Sequence, residues 1–145
     1  MPANLVVVVS KGHQPRARGG NTGAVGVDGL SEYGVVGDIG DATLEALYQA
    51  GVVAVTAPRT GVAISRPGAP SRFSFVAEVM TRYPAARVAF VDLHCNAFGD
   101  ERARGTETFT SSPASKSLPL ASLINANVVD GFRALDRDWV DRGVK

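Results

Sequence analysis

The chain has 145 residues, of which 45% are hydrophobic and 20% are charged, and its formal net charge at pH 7 is +1. This length fits a single domain over residues 1–145 with room for a sizeable core, and the nearly balanced charge argues against nucleic acid or an anionic membrane as a partner. The single cysteine, Cys95, excludes an internal disulfide. The oligomeric state is left open by these values.

Strands and helices are expected to alternate along the chain. Ser31 is a favourable N-cap for the first helix, and Gly51 stands where that helix is expected to end. The alternation favours an α/β fold, one layered domain with a mostly parallel central sheet flanked by helices. In the second helix the residues expected to face inward are Phe73, Val76, Ala77 and Met80. The predicted strands are 5–9, 52–56, 87–93 and 106–110, the predicted helices are 31–50, 71–83 and 114–135, and the tail 136–145 shows no clear pattern.

The start of the chain does not have the pattern of a signal peptide. Its apolar residues follow no basic segment and precede no small-residue cleavage site. No run reaches the roughly 18 apolar residues that a transmembrane helix needs. Residues 5–9 are therefore expected to form a buried strand.

The two histidines of the chain both follow predicted strands, and a glutamate opens the first predicted helix. The carboxyl ends of parallel strands share one edge of a sheet, so His13 and His94 are expected on the same side. Together with Glu32 they form a donor set that suits an open zinc site with three protein ligands. Their spacing matches no compact metal motif. Two polar loop histidines and a helix-capping glutamate remain an alternative interpretation of the same residues.

Several short motifs in register resemble the zinc-dependent N-acetylmuramoyl-L-alanine amidases of the amidase-3 family. They extend over nearly the whole chain. In chain order they are Gly12-His13, then Gly23-Ala24 with Gly26, Gly29 and Glu32, then His94-Cys95-Asn96-Ala97, Gly105-Thr106-Glu107-Thr108-Phe109, and Arg142-Gly143-Val144-Lys145.

This resemblance implies a peptidoglycan hydrolase. It implies that His13, Glu32 and His94 hold Zn2+, and that zinc-activated water cleaves the amide between N-acetylmuramic acid and L-alanine. Asn96 is a candidate contact for the muropeptide substrate, and a cap of its own loop is the alternative role. An enzyme of this kind without a signal peptide would stay in the cytoplasm until release and then act at the cell wall, as a phage endolysin does. It could also be a fragment of a secreted protein.

The chain departs from the family pattern at several positions. Gln14-Pro15 replaces a glycine pair, Asn21 stands where an aspartate is common, and Asp92 stands where a serine is usual. The family's last strand, which carries a catalytic glutamate, is apparently missing after Lys145, so no catalytic residue is assigned.

Two carboxylates could replace that glutamate, and Asp92 has a second interpretation. Asp92 and Glu107 are the conceivable substitutes. Asp92 could instead orient a histidine ligand.

Two alternatives remain for the function of the protein. One is a catalytically impaired module that binds zinc and muropeptide, and the other is another metallopeptidase or deacetylase.

Overall fold

The computed structural model describes residues 4–13, 22–26, 28–59, 72–96, 104–112 and 114–145. The chain forms two compact units, Met1–Ala97 and Phe98–Lys145. Within the described ranges, each unit contains one sheet. The expectation of a single domain over residues 1–145 stays a prediction.

The sheet of the first unit has three parallel strands in the order β2-β1-β3. Strand β1 (Leu5–Lys11) lies in the middle, between β2 (Val53–Thr56) and β3 (Arg87–Leu93). The register pairs Leu5 with Arg87 and Lys11 with Leu93, so β1 and β3 end at the same edge. The predicted α/β class with a parallel sheet flanked by helices is confirmed. The third predicted strand has the predicted bounds.

The core of this unit is built around β1. Its consecutive valines 6–9 are at most 9% exposed, as expected of an interior strand covered on both faces. Val6 and Val8 pack with Ala57 and with Val79 of the second helix. The edge of the sheet is thus fixed by a rigid central strand.

The described residues of this unit include two helices, α1 (Glu32–Gln49) and α2 (Arg72–Arg82). Ser31 caps α1, because its Oγ accepts a hydrogen bond from the Gly34 N–H at 3.2 Å. Gly51 follows the helix with φ of 71°, a left-handed conformation that favours glycine. Both predicted helix ends are confirmed to within one residue.

The predicted inward face of α2 is confirmed for Val76 and wrong for Phe73, Ala77 and Met80, which are exposed. Val79 is 1% exposed, whereas Phe73 and Met80 are 55% and 56% exposed. Phe75 and Val76 accompany Val79 against the sheet. Two apolar stripes at helical spacing run along this helix, and the sequence pattern does not distinguish which one faces the sheet.

The second unit is a β–α–β arrangement. Strand β4 (Thr106–Thr108) and strand β5 (Asp141–Val144) are parallel neighbours, and helix α3 (Leu118–Arg133) connects them. Pro119 lies in the first turn of α3, as predicted. Strand β5 falls in the tail for which the sequence predicted no element.

A buried amide connects α3 to both strands of the second unit. Asn125 is 4% exposed. Its Oδ1 accepts from the Thr108 hydroxyl at 3.2 Å, and its Nδ2 donates to Asp141 at 2.7 Å. A buried polar side chain stabilises a fold only when its donors and acceptors are paired, and here both ends of the amide are used.

Among the helices described here, none is long and apolar enough to cross a membrane.

Candidate metal centre

The three predicted ligands come from the ends of three elements in the first unit. His13 follows β1 by two residues, His94 directly follows β3, and Glu32 is the first residue of α1. Because β1 and β3 are parallel and end in register, the two histidines leave the sheet at one edge. The structure brings all three side chains together.

The three candidate ligand atoms form a nearly equilateral triangle. His13 Nε2 lies 3.0 Å from Glu32 Oε1, His94 Nδ1 lies 3.1 Å from the same oxygen, and the two nitrogens are 3.2 Å apart. The imidazole rings meet edge to face, at an interplanar angle of 81°. Two nitrogens and one carboxylate oxygen therefore point at one place.

The spacing of these atoms fits a zinc ion. Ligands at about 2.0–2.2 Å in a tetrahedron are separated by about 3.3–3.6 Å, so the observed triangle would need to widen by only a few tenths of an ångström. Glu32 is buried, whereas the His13 and His94 side chains are 21% and 41% exposed. Because Glu32 is buried and both imidazoles reach solvent, the arrangement suits a zinc site that keeps one coordination position open to solvent.

Glu32 is held in its ionised form by the surrounding backbone. Burial raises the pKa of its carboxyl group. Hydrogen bonds from the Ala24 and Cys95 N–H groups, the charge of His13 and a hydrogen bond from His94 lower it by more, so the net pKa lies below the ordinary value of 4.5. The two N–H groups lie 3.0 Å and 2.7 Å from its oxygens. A carboxylate that is ionised at neutral pH is the form that binds a cation.

The loop before α1 folds back onto the first turn of the helix. The Glu32 N–H donates to the Ala24 carbonyl at 2.7 Å, and the Tyr33 N–H donates to that of Thr22 at 3.0 Å. Between them Gly23 has φ of 77°, and a Cβ there would lie 2.7 Å from His13 Cδ2. Only a residue without a side chain allows the loop to pass this close to the candidate ligands.

A second close approach lies between the ends of β1 and β3. The Gly12 N–H donates to the Leu93 carbonyl at 2.9 Å, and a Cβ on Gly12 would lie 2.7 Å from His94 Cε1. The next residue, His13, has φ of 62°, a left-handed conformation uncommon for residues other than glycine. Such strained backbone is concentrated at functional sites, where surrounding contacts maintain it.

Arg59 connects the segments that carry two of the ligands, and the sequence analysis missed it. Its guanidinium donates to the carbonyls of Lys11 and Gly12 at 3.2 Å and 3.1 Å, and to that of Tyr33 at 2.7 Å. It also lies 3.8 Å above the Tyr33 ring. One side chain thus fixes the backbone just before His13 and just after Glu32. An arginine that follows a strand gives no periodic signal, and its backbone partners are not visible in a sequence.

The other residues singled out from the sequence have different surroundings. Cys95 is half-buried and offers its backbone N–H to Glu32, while burial and the nearby Glu32 charge raise the pKa of its thiol. Asn96 is exposed, two residues after His94. Asp92 Oδ2 lies 3.3 Å from His94 Nε2, and Glu107 is paired with Lys145. Both carboxylates considered for proton transfer are therefore engaged, and we assign the role to neither. Gln14, Pro15 and Asn21, where the chain departs from the family pattern, lie outside the described residues.

The family comparison covers nearly the whole chain. The sequence profile of the amidase-3 family, described as N-acetylmuramoyl-L-alanine amidase, matches residues 7–145. The chain belongs to this family, which confirms the resemblance seen in its motifs. It is an N-acetylmuramoyl-L-alanine amidase, an enzyme whose substrate is peptidoglycan.

Solved structures of amidases share the fold. The N-acetylmuramoyl-L-alanine amidase AmiC2 of Nostoc punctiforme is 25% identical, with a TM-score of 0.62, and the match covers 99% of this chain and 69% of that one. The CwlD amidase from Clostridioides difficile, solved in complex with the GerS lipoprotein, is 19% identical with a TM-score of 0.64, over 97% of this chain and 71% of its own. No functionally curated protein gave a match.

Proposed function

We propose that this amidase cleaves the bond between N-acetylmuramic acid and L-alanine with one zinc ion held by His13, Glu32 and His94. The observation that carries the proposal is the triangle of ligand atoms with sides of 3.0, 3.1 and 3.2 Å. Neutral imidazole and ionised carboxylate are the donors that catalytic zinc sites use. Membership of the amidase-3 family supports the same substrate and reaction.

A zinc ion in such a site acts as a Lewis acid toward the scissile carbonyl and lowers the pKa of a water molecule. The protein's own residues prepare this chemistry. Glu32 supplies a negative charge that two backbone N–H groups hold in place. The exposed faces of His13 and His94 leave room for the substrate to approach from solvent.

Asn96 is the proposed substrate contact. It lies two residues beyond His94, at the same sheet edge, and it is exposed. Its side-chain amide offers one acceptor oxygen and two donor hydrogens, which suits the alternating carbonyl and N–H groups of a stem peptide. Asn96→Ala is expected to raise KM for muropeptide while leaving zinc affinity within about twofold of the wild type, since the residue is not among the candidate ligands.

The reaction is tested on purified cell walls with product analysis. We expect turbidity to fall and free L-alanine amino groups to appear without release of acetate. Chelation should stop the reaction, and added zinc should restore it. Acetate release would instead identify a deacetylase. Binding to the walls without turnover would identify an inert zinc and muropeptide module.

A variant pair separates the site from its neighbour. His94→Ala is expected to abolish lysis, whereas Cys95→Ser should retain it, because serine keeps the backbone N–H that Glu32 accepts. Chelator-resistant lysis, or full activity in His94→Ala, would overturn the zinc mechanism.

We further propose that the enzyme stays in the cytoplasm until release and then acts at the cell wall, as an endolysin does. Membership of the amidase-3 family supports action at the cell wall, where peptidoglycan lies. Fractionation of producing cells should find the enzyme in the cytosol before membrane permeabilisation. Recovery from the medium of intact cells would contradict this.

A further inference from the structure

The two ring nitrogens of His94 face different partners. Nδ1 points into the candidate centre, 3.1 Å from Glu32 Oε1 and 3.2 Å from His13 Nε2. Nε2 points the other way and lies 3.3 Å from Asp92 Oδ2. The ring therefore spans the space between the candidate centre and a second carboxylate.

A neutral imidazole carries one N–H and one lone pair, and a neighbouring acceptor decides which nitrogen has the proton. An ionised carboxylate accepts hydrogen bonds only. Asp92 beside Nε2 therefore favours the N–H at that nitrogen. Glu32 Oε1, 3.1 Å from Nδ1, favours the proton at that other nitrogen, so the two carboxylates compete for one N–H. A cation at the centre would need the Nδ1 lone pair and is therefore compatible only with the proton on the Asp92 side.

The placement of Asp92 follows from the strand that carries it. Asp92 belongs to β3, and in the register of the sheet it pairs with Ser10 of β1. Residues two apart in an extended strand share a face, so Asp92 and His94 are expected on the same side of the chain. The close approach of Gly12 to His94 Cε1 limits the ring on another edge. The carboxylate and the glycine together leave the imidazole little freedom to turn.

We propose that Asp92 is a positioning residue for His94, accepting the Nε2–H and reserving the Nδ1 lone pair for the metal ion. This inference rests on the proposed metal centre. The Asp92 carboxylate can only accept, so it favours the tautomer with the proton on Nε2 over the one that Glu32 favours. A carboxylate partner of this kind also raises the basicity of a histidine ligand.

The tautomer can be measured without metal, and the chain suits the measurement because it has only two histidines. Long-range 1H–15N correlation spectra of the metal-free protein, at a pH where both rings are neutral, are expected to show a larger share of the His94 Nε2–H tautomer in the wild type than in Asp92→Asn. In Asp92→Asn, whose amide can donate to Nε2, the His94 signals should move toward the Nδ1–H tautomer, in which the ring donates to Glu32. Asp38→Asn is the matched control, because Asp38 is an exposed aspartate on α1, and it should leave the spectrum unchanged.

Metal affinity is the second readout. Competition with a chromophoric chelator is expected to show zinc bound about 10–100-fold more weakly by Asp92→Asn than by the wild type or by Asp38→Asn, as for other carboxylates that orient histidine ligands. Thermal melting of the metal-free proteins checks that Asp92→Asn is folded.

The outcomes separate this inference from the proposed function. A wild-type protein that binds no zinc would overturn the metal centre, whereas the tautomer comparison still tests the role of Asp92. An unchanged His94 tautomer in Asp92→Asn, or zinc affinity within about twofold of the wild type, would overturn the role of Asp92 while leaving the metal centre in place.

Discussion

The carboxylate of Glu32 accepts a hydrogen bond from the backbone N–H of Cys95 at 2.7 Å, across 63 positions of the chain. This bond joins the first residue of α1 to the residue that follows His94. The same oxygen, Oε1, faces both imidazoles. One carboxylate oxygen therefore organises the helix, the end of β3 and the end of β1 around a single point.

Replacing this carboxylate by its amide should damage the centre more than the fold. In Glu32→Gln we expect zinc affinity to fall about 100-fold or more, because the charge that attracts the cation is lost. The metal-free protein should lose about 1–3 kcal/mol, because the amide leaves some of the present donors without an acceptor. Glu45→Gln, on the exposed side of the same helix and next to Gln49, is the matched control. Equal zinc affinities for the two variants would contradict this account.

A methyl group on Gly12 should press directly on His94. The added Cβ would lie 2.7 Å from the ring and from the Leu93 carbonyl. We expect Gly12→Ala to lose about 1–3 kcal/mol of stability, as overpacked sites do, and to bind zinc at least about tenfold more weakly. Gly131→Ala in α3 meets nothing within 4 Å and should instead gain up to about 1 kcal/mol. Chemical denaturation and zinc competition measure both effects. If Gly12→Ala keeps wild-type stability and zinc affinity, the His94 ring does not lie against Gly12.

Removing Arg59 should loosen two ligand segments at once. Three backbone carbonyls lose a charged donor in Arg59→Ala, and each such bond contributes about 1.5–3 kcal/mol. We expect a loss of at least about 2 kcal/mol together with weaker zinc binding, and only partial recovery in Arg59→Lys, whose ammonium lacks the planar fork. Arg82→Ala on α2 removes an exposed pair with Glu78 and should cost less than about 0.5 kcal/mol. Similar losses for Arg59→Ala and Arg82→Ala would contradict the role of Arg59.

Acid should weaken the second unit through Asp141. Hydrogen bonds from the Asn125 side chain and the Gly143 N–H, and the charge of Arg133, hold the pKa of Asp141 below its ordinary value of 3.8. Because the folded pKa is the lower one, the carboxylate contributes stability above the ordinary value and loses it as pH falls through the folded pKa.

The matching variant is Asp141→Asn. We expect it to be less stable than the wild type at pH 6, with a difference that shrinks as the pH falls below 3.8. Urea denaturation at a series of pH values measures this difference. A difference that does not change with pH would show that Asp141 acts by hydrogen-bond geometry and not by charge.

The elements that the sequence predicted well have strong local signals. Strand β3 contains the apolar run of residues 88–91, and Ser31 and Gly51 mark the ends of α1 with side-chain and backbone requirements of their own. The prediction that His13 and His94 share an edge followed from the parallel order of the strands. That order sets the side of the sheet on which each loop begins.

What the sequence did not predict depends on contacts distant in the chain. Strand β5 has a single aliphatic side chain, Val144, and it becomes a strand by pairing with β4. The inward face of α2 depends on which of two apolar stripes meets the sheet. The left-handed backbone of His13 and the carbonyl contacts of Arg59 leave no mark in residue type or spacing. These features depend on contacts that form only in the folded chain.

The most direct test of the zinc centre is the metal content of the purified protein, measured by elemental analysis and by titration against a competing chelator. We predict one zinc ion for each chain, lost or weakened about 100-fold or more in His13→Ala, Glu32→Gln and His94→Ala and retained in Cys95→Ser. A wild-type protein that binds no zinc, or one whose zinc survives all three ligand substitutions, would contradict the account.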